Sequence, residues 1–317
     1  MNTSPLVTVV VPAYNADAYV AEALESVRSQ SHEHLQVIVV DDGSTDRTAE
    51  IVRAFLSDNR FEYVYQENAG VSAAQSAGVT RAGGEFVAIL GADDVWLPEK
   101  IERQVEMARG HPEAGLFFTN AMLFDQTGDI RAYYPDCYRF PEEELLKQLL
   151  VENPLCAGTV MIRTDLLGRH GAFDETLRVA EDYELWIRLA MAGVTAAGTM
   201  EILHRQRIRP DSLTRTRSAQ MLREMIGIYR RSVPLLPDRR LKRLAKRSIR
   251  ATRSNLMIGL ARERLDRGHP RLAALRFVLA WLPKTSRRWL LGAALSCAVM
   301  GTWSKPDGRE LPGWVEP

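Results

Sequence analysis

Glu85-Phe-Val-Ala-Ile-Leu-Gly-Ala-Asp93-Asp94 decides how the rest of the chain is read. Phe86 to Leu90 is apolar and partly β-branched, the composition of a strand buried on both faces. It runs into Gly91-Ala92, too small to block a ligand, and then into two adjacent carboxylates. Pro98 and the periodic run Ile101, Val105, Ala108 announce a helix. A buried strand that carries acids to its C-terminal end puts them where open α/β sheets bind ligands. Neighbouring carboxylates repel unless a cation or hydrogen-bond donors neutralise them. The pair reads as a seat for a divalent metal and a phosphorylated substrate, or as a plain helix cap, and the turn alone favours the cap.

Upstream, the same pattern recurs. Leu6 to Val11 is a central strand that stops at Pro12-Ala13-Tyr14-Asn15, and Tyr19, Val20, Ala23, Leu24 and Val27 follow at helical spacing. His34 to Val40 is a second buried strand, ending in Asp41-Asp42-Gly43-Ser44 before a helix that carries Ile51, Val52 and Phe55. Phe61 to Tyr65 alternates like an outer strand, and a short helix runs from Asn68 through Gly78. The order β-α-β-α-β-α-β predicts a mostly parallel sheet with right-handed crossovers. Both aspartate pairs then lie on one sheet edge, so four carboxylates are expected at one crevice. Neither Gly-x-Gly-x-x-Gly nor Gly-x-x-x-x-Gly-Lys-Ser/Thr occurs, which leaves a carboxylate-held metal to neutralise phosphate.

With 317 residues, 46% of them hydrophobic, the chain can bury one large core or a main domain with an appendage. Cys137, Cys156 and Cys297 are odd in number and far apart, which predicts a reducing compartment without disulfides. No Cys/His pair has zinc spacing, and the N-terminus lacks the features of a secretory signal. The net charge of +1 hides an asymmetry: residues 1–214 hold 18 basic against 33 acidic side chains, and residues 215–317 hold 23 against 7. An acidic body with a basic tail suggests two physical tasks.

Taken in order, Val10-Val-Pro-Ala-Tyr-Asn15, Val39-Val-Asp-Asp-Gly-Ser-Thr-Asp46, Asn68-Ala-Gly-Val-Ser-Ala-Ala74, Gly91-Ala-Asp-Asp94, Gly171-Ala-Phe-Asp174 and Ala180-Glu-Asp-Tyr-Glu-Leu-Trp-Ile-Arg-Leu-Ala190 resemble the family 2 glycosyltransferases. The resemblance covers roughly the first two thirds of the chain. It implies a GT-A fold: an α/β, Rossmann-like, mostly parallel mixed sheet flanked by helices over residues 1–215, with a helical region over 216–317. It further implies that Pro12, Ala13 and Tyr14, with Asn15, Gly70 and Ala74, line the nucleotide-sugar pocket and that Asp42 reads the base. Asp93 would sit near the ribose or sugar, and Asp94 would bind Mn2+ or Mg2+ on the diphosphate. Asp182 would deprotonate the acceptor hydroxyl, with Glu181 beside it and Trp186 packed beneath. The implied reaction is inverting transfer from a nucleotide-diphospho-sugar, most often UDP-linked in this family. Its acceptor would be a hydroxyl of a saccharide or lipid-linked molecule in cell-surface polysaccharide assembly. In-line displacement needs a base across the pocket from the metal, and a helix start at Glu181-Asp182 stabilises a carboxylate there. Acidic decoration of that helix start is the plainer alternative.

Two departures stand out. Gln75-Ser76 replaces the family's usual Arg-Asn. Arg207-Ile-Arg209-Pro has arginine where histidine is usual, which would let Arg209 contact the diphosphate. His204 is off register and is expected to be structural. Residues 111–170 read as the acceptor side: a strand from Gly115 to Thr119, an aromatic loop Tyr133–Tyr138, a helix from Glu142 to Leu150 and a strand from Cys156 to Ile162. The tail reads as helical, with Leu241, Leu244, Ala245, Ser248, Ile249, Thr252 and Leu256 on one face and arginines and lysines around it. Further helices are read over 271–282 and Trp289–Trp303; the latter falls short of the ~20 residues of a spanning helix. The tail is expected either to lie on an anionic membrane at the cytoplasmic face or to pack on the body, with nucleic acid not expected. A nucleotidyltransferase and a non-catalytic sugar-binding protein remain as alternatives to transfer.

Overall fold

In the computed structural model, which describes residues 4–134, 145–209, 212, 216 and 218–266, the strand leading to Asp93-Asp94 lies inside a nine-stranded sheet. The chain divides into two compact units, Met1–Arg209 and Pro210–Pro317. The sheet belongs to the first.

Strands β1 (Val7–Ala13), β2 (Leu35–Asp41), β3 (Phe61–Tyr65) and β4 (Phe86–Ile89) form its parallel half in the order β3-β2-β1-β4. Beyond β4 the sheet is mixed. It continues through β8 (Val160–Arg163), β6 (Ala114–Asp125), β9 (Thr195–Arg207) and β5 (Val95–Trp96), while β7 (Gly128–Ala132) hangs on β6. β8 is antiparallel to both β4 and β6, while β6 and β9 pair in parallel, so both directions occur beyond the βαβ succession. Register aligns Ala13 with Asp41 and Val10 with Ile89, which brings the C-terminal ends of β1, β2 and β4 to one edge. Val7, Val9 and Val11 are fully buried in a core with Leu24 and Val27 of α1 (Val20–Arg28) and Ile101 and Val105 of α4 (Lys100–Gly110). Each such burial contributes roughly 1.5–3 kcal/mol. The other helices of this unit are α2 (Thr48–Ala54), α3 (Val71–Thr80), α5 (Leu145–Leu149), α6 (Thr164–His170) and α7 (Glu181–Met191).

Behind the Asp93-Asp94 turn lies a buried polar buttress. Lys100 is fully buried, its Nζ donating to Gln104 Oε1 at 2.7 Å and lying 3.9 Å from the centre of the Trp96 ring. Burial holds its amine well below the usual lysine range, although the ring face favours charge. Gln104 donates to Phe117 O and Thr159 O, and Trp96 Nε1 donates to Gly158 O at 2.9 Å. The 156–159 turn is thereby fixed from below. Residues read as one strand from Cys156 divide there into a single helical turn, Ala157–Thr159, and the strand β8.

The second unit contains α8 (Ser218–Ser232) and α9 (Arg239–Asp266), which pack on each other. Ile226, Ile228 and Tyr229 are buried, as are Ala245, Ser248, Thr252 and Leu256, four of the seven residues expected on the apolar face of α9. Asp238 caps α9 by accepting from Arg240 N and Leu241 N. Among the described residues no helix is long and apolar enough to cross a membrane. The loop expected beyond Tyr134, the start of the helix expected from Glu142 and the helices expected over 271–282 and 289–303 lie outside the described residues.

Candidate functional site

The two aspartate pairs do different work. Asp41 is wholly buried and accepts from Ser44 N at 2.8 Å and from Tyr63 Oη at 2.7 Å. The Tyr63 phenol is pushed up to about 12 by burial and by this carboxylate. Asp41 therefore braces the end of β2. Asp42 turns to the next loop: Gln66 Nε2 and Ala69 N donate to its Oδ1 and Gly70 N to its Oδ2, at 2.7–2.8 Å. Oδ2 keeps lone-pair capacity for a further donor such as a base N–H. Among the described residues no group of three or more His, Cys, Asp or Glu side chains could hold a metal ion. Of the four carboxylates expected at one crevice, Asp41 and Asp42 are engaged by their own loops.

Around this donor edge, Asn15 adopts a left-handed conformation (φ 47°), as asparagine tolerates. Its N–H donates to Ser44 Oγ and its Oδ1 accepts from Thr45 N, so it clamps the β1 and β2 ends together. Pro12 is partly exposed, Ala13 is buried and Tyr14 is 53% exposed, leaving its ring open to a flat ligand. Ala74 is fully buried in the first turn of α3, its N–H donating to Gly70 O, so its side chain faces the packing. Gln75, where the family usually has arginine, is buried too.

Asp93 and Asp94 are split between two groups of donors. Arg209 Nε lies 3.0 Å from Asp93 Oδ2, so the arginine assigned to the diphosphate meets a carboxylate here. Burial and the adjacent Asp94 push Asp93 up to about 6, against the pull of Arg209. Asp94 Oδ1 accepts from Arg207 N at 2.8 Å, and the Arg207 guanidinium donates to Asp93 O and pairs with Glu22. The histidine taken as structural is Asp94's neighbour: His204 Nε2 lies 3.4 Å from Asp94 Oδ2. The cause is register. β5 follows Asp94 directly and pairs with β9, Trp96 opposite His204 and Val95 opposite Arg205. His204 is completely buried, and neither ring nitrogen has a hydrogen-bond partner. A carboxylate oxygen beside an unsatisfied imidazole nitrogen is a donor set suited to a first-row divalent ion.

Asp182 stands at the start of α7. It is only half-buried by exposed area, yet closely surrounded by protein, which pushes its carboxyl up to about 6 against the hydrogen bonds from Tyr183 N and Asn153. Asn153 Nδ2 is at 3.5 Å. Tyr183 anchors α7 to α5 through a hydrogen bond to Leu149 O, and Trp186 is buried beneath, as expected. Glu181 is buried at the helix start. Cys156 feels the charge of both acidic centres: burial, then Asp94, then Asp182 push its thiol up to about 12. Tyr133 is raised by burial and by the same Cys156 and Asp182. Arg207, Cys156 and Asn153 were not singled out as site residues from sequence. Only strand pairing and loop packing bring them in.

The profile "Glycosyl transferase family 2" matches residues 8–171. TuaG of Bacillus subtilis, a glycosyltransferase provisionally assigned to teichuronic acid biosynthesis, is 34% identical over 67% of this chain and 83% of its own length. Among solved structures, residues 1–349 of S. aureus TarS in complex with UDP-GlcNAc match 96% of this chain and 98% of that chain at 16% identity (TM-score 0.62). Against the longer TarS crystal structure, the chain spans 55% of that protein. The mannosyltransferase PcManGT from Pyrobaculum calidifontis, in complex with GDP-Man and Mn2+, matches 95% of this chain and 88% of that chain at 19% identity (TM-score 0.61). These likenesses carry the fold, which is of the GT-A type. Family match and curated relative together settle membership: the chain belongs to the family 2 glycosyltransferases, which transfer a sugar from a nucleotide-sugar to an acceptor.

Proposed function

We propose that the enzyme is an inverting, metal-assisted transferase that uses a UDP-sugar and glycosylates a saccharide or lipid-linked hydroxyl. The observation that supports this best is the buried His204 Nε2 set 3.4 Å from Asp94 Oδ2 beyond the end of β4. Tyr14, Asp42 and Gly70 form the donor side, with Tyr14 free to stack on the base and Asp42 able to accept from it. Asp94 and His204 would hold Mn2+ or Mg2+, which when bound would neutralise the diphosphate leaving group. Asp182, whose burial gives it affinity for a proton, takes the acceptor's proton, and Asn153 orients the carboxylate. Tyr133 and Cys156 line the acceptor side and limit water there. Titrating UDP and GDP, with and without Mn2+, and following nucleotide release from their sugars tests the donor. Mn2+-dependent UDP binding is expected; binding of neither nucleotide would overturn the reading. The name of TuaG supports an acceptor in cell-surface polysaccharide assembly.

The same proposal includes a membrane partner at the cytoplasmic face. Arg239, Arg243, Lys246, Arg250 and Arg253 recur at three- and four-residue spacing on α9, and all are exposed, with Ala245, Ser248 and Thr252 buried on the opposite face. Arg239, Arg240 and Lys242 crowd the positive end of the helix dipole, where external anions would relieve them. Flotation with phosphatidylglycerol vesicles but not phosphatidylcholine vesicles is expected. It should be lost in high salt and in the triple variant Arg243→Gln, Lys246→Gln, Arg250→Gln. Flotation insensitive to both would exclude this surface.

A further inference from the structure

The Asp93-Asp94 turn is gripped twice by one residue of β9. Arg207 N donates to Asp94 Oδ1 at 2.8 Å, and Arg207 Nε donates to Asp93 O at 2.8 Å. The first bond leaves Asp94 Oδ2 as the oxygen that faces His204 Nε2 at 3.4 Å. The second holds the peptide that joins the two aspartates. Strand register puts the arginine there: β9 runs parallel to β6 with Arg207 opposite Phe124. The guanidinium carbon lies 4.4 Å from the centre of the Phe124 ring and 5.0 Å from that of Tyr19. Its Nη2 donates to Glu22 Oε2, in the first turn of α1. The Arg207 side chain is 14% exposed against 52% for Glu22, so the guanidinium is the enclosed member of the pair. Two rings and two acceptors restrict it to a narrow range of placements.

We propose that Arg207 is a positioning residue for metal capture: by fixing the Asp93-Asp94 peptide and the Asp94 carboxylate together, it presents Asp94 Oδ2 and His204 Nε2 to one divalent ion. The proposal rests on the reading of Asp94 and His204 as the metal seat. Charge alone would work the other way, since a guanidinium beside the seat repels a cation. Glu22 offsets that repulsion while holding the far end of the fork. The planar fork serves Asp93 O and Glu22 at once. A lysine ammonium, a point charge on a flexible stem, cannot hold both acceptors in that geometry. Geometry and charge therefore predict opposite signs when the guanidinium is removed.

The test measures Mn2+ binding to the full chain by the electron paramagnetic resonance signal of free Mn2+, with and without UDP, and with UDP and Mn2+ alone as the blank. Wild type is compared with Arg207→Lys, Arg207→Gln, Glu22→Ala and the double variant Glu22→Ala/Arg207→Gln. Arg207→Gln should weaken Mn2+ about 10–100-fold, the usual cost of losing a partner behind a metal ligand, with Arg207→Lys intermediate. Glu22→Ala should weaken it less, and should add nothing in the Arg207→Gln background, because it acts through the guanidinium. A lower melting temperature in Arg207→Gln with an unmoved Mn2+ constant would reduce Arg207 to a structural brace and overturn the proposal. Tighter Mn2+ binding, or a loss from Glu22→Ala that persists in the double variant, would overturn it too. Were Arg207→Gln to unfold, wild-type Mn2+ affinity in both Arg207→Lys and Glu22→Ala would do the same. Wild type that binds no Mn2+ with UDP present would instead bring down the metal seat itself, before any variant is made.

Discussion

Asp182→Asn is expected to lower sugar transfer by about 10²–10⁴-fold, the usual range for loss of a positioned general base. Nucleotide binding should survive, since the role proposed for Asp182 is toward the acceptor. The wild-type pH profile should share the cause. Burial raises the Asp182 carboxyl to about 6, so its basic form predominates only above that pH, and transfer should fall as pH drops through about 6. That acidic limb should vanish from the residual activity of Asp182→Asn. Linkage gives a control for folding. An acid whose folded pKa is raised adds stability below its unfolded pKa and loses it as pH rises toward 6, so removing the charge should leave the variant at least as stable as wild type at pH 7. Full transfer with the limb intact would show that the base is another group.

Asp94→Asn should be as severe for a different reason. It keeps an oxygen for Arg207 N but removes the charge facing His204. Loss of the proposed metal contact, worth several kcal/mol, should lower transfer by about 10³-fold. The decisive readout is binding: the Mn2+-induced rise in melting temperature with UDP should disappear in Asp94→Asn and shrink in His204→Ala. Asp93→Asn, which leaves Asp94 and His204 in place, should retain it. A metal-dependent shift that persists in both Asp94→Asn and His204→Ala would place the ion elsewhere.

The parallel half of the fold is legible because its signals are local. β1, β2 and β4 are uninterrupted apolar runs, each followed by turn residues and a helical period, and the structure places their ends together. The mixed half was harder to read, since pairing β5 with β9 joins residues more than a hundred positions apart. His204 illustrates the cost. Its sequence neighbourhood is an ordinary alternating strand, and only a two-residue strand after Asp94 gives it a carboxylate to face. Asp41 shows the converse. It shares a dipeptide with Asp42 and is chemically identical, but one residue of β pleat turns it onto Tyr63 and Ser44. Arg209 likewise carried a phosphate role in sequence, and the fold sets it against Asp93.

The turn at Gly158 constrains how this part of the chain can change over time. A Cβ at 158 would come within 2.5 Å of His204 Cε1, while its carbonyl is held by Trp96. Any side chain at this position would therefore press the imidazole out of line with Asp94. Residue 158 thus reaches Asp94 only through the imidazole, so the turn and the strand residue opposite Trp96 are bound to change together.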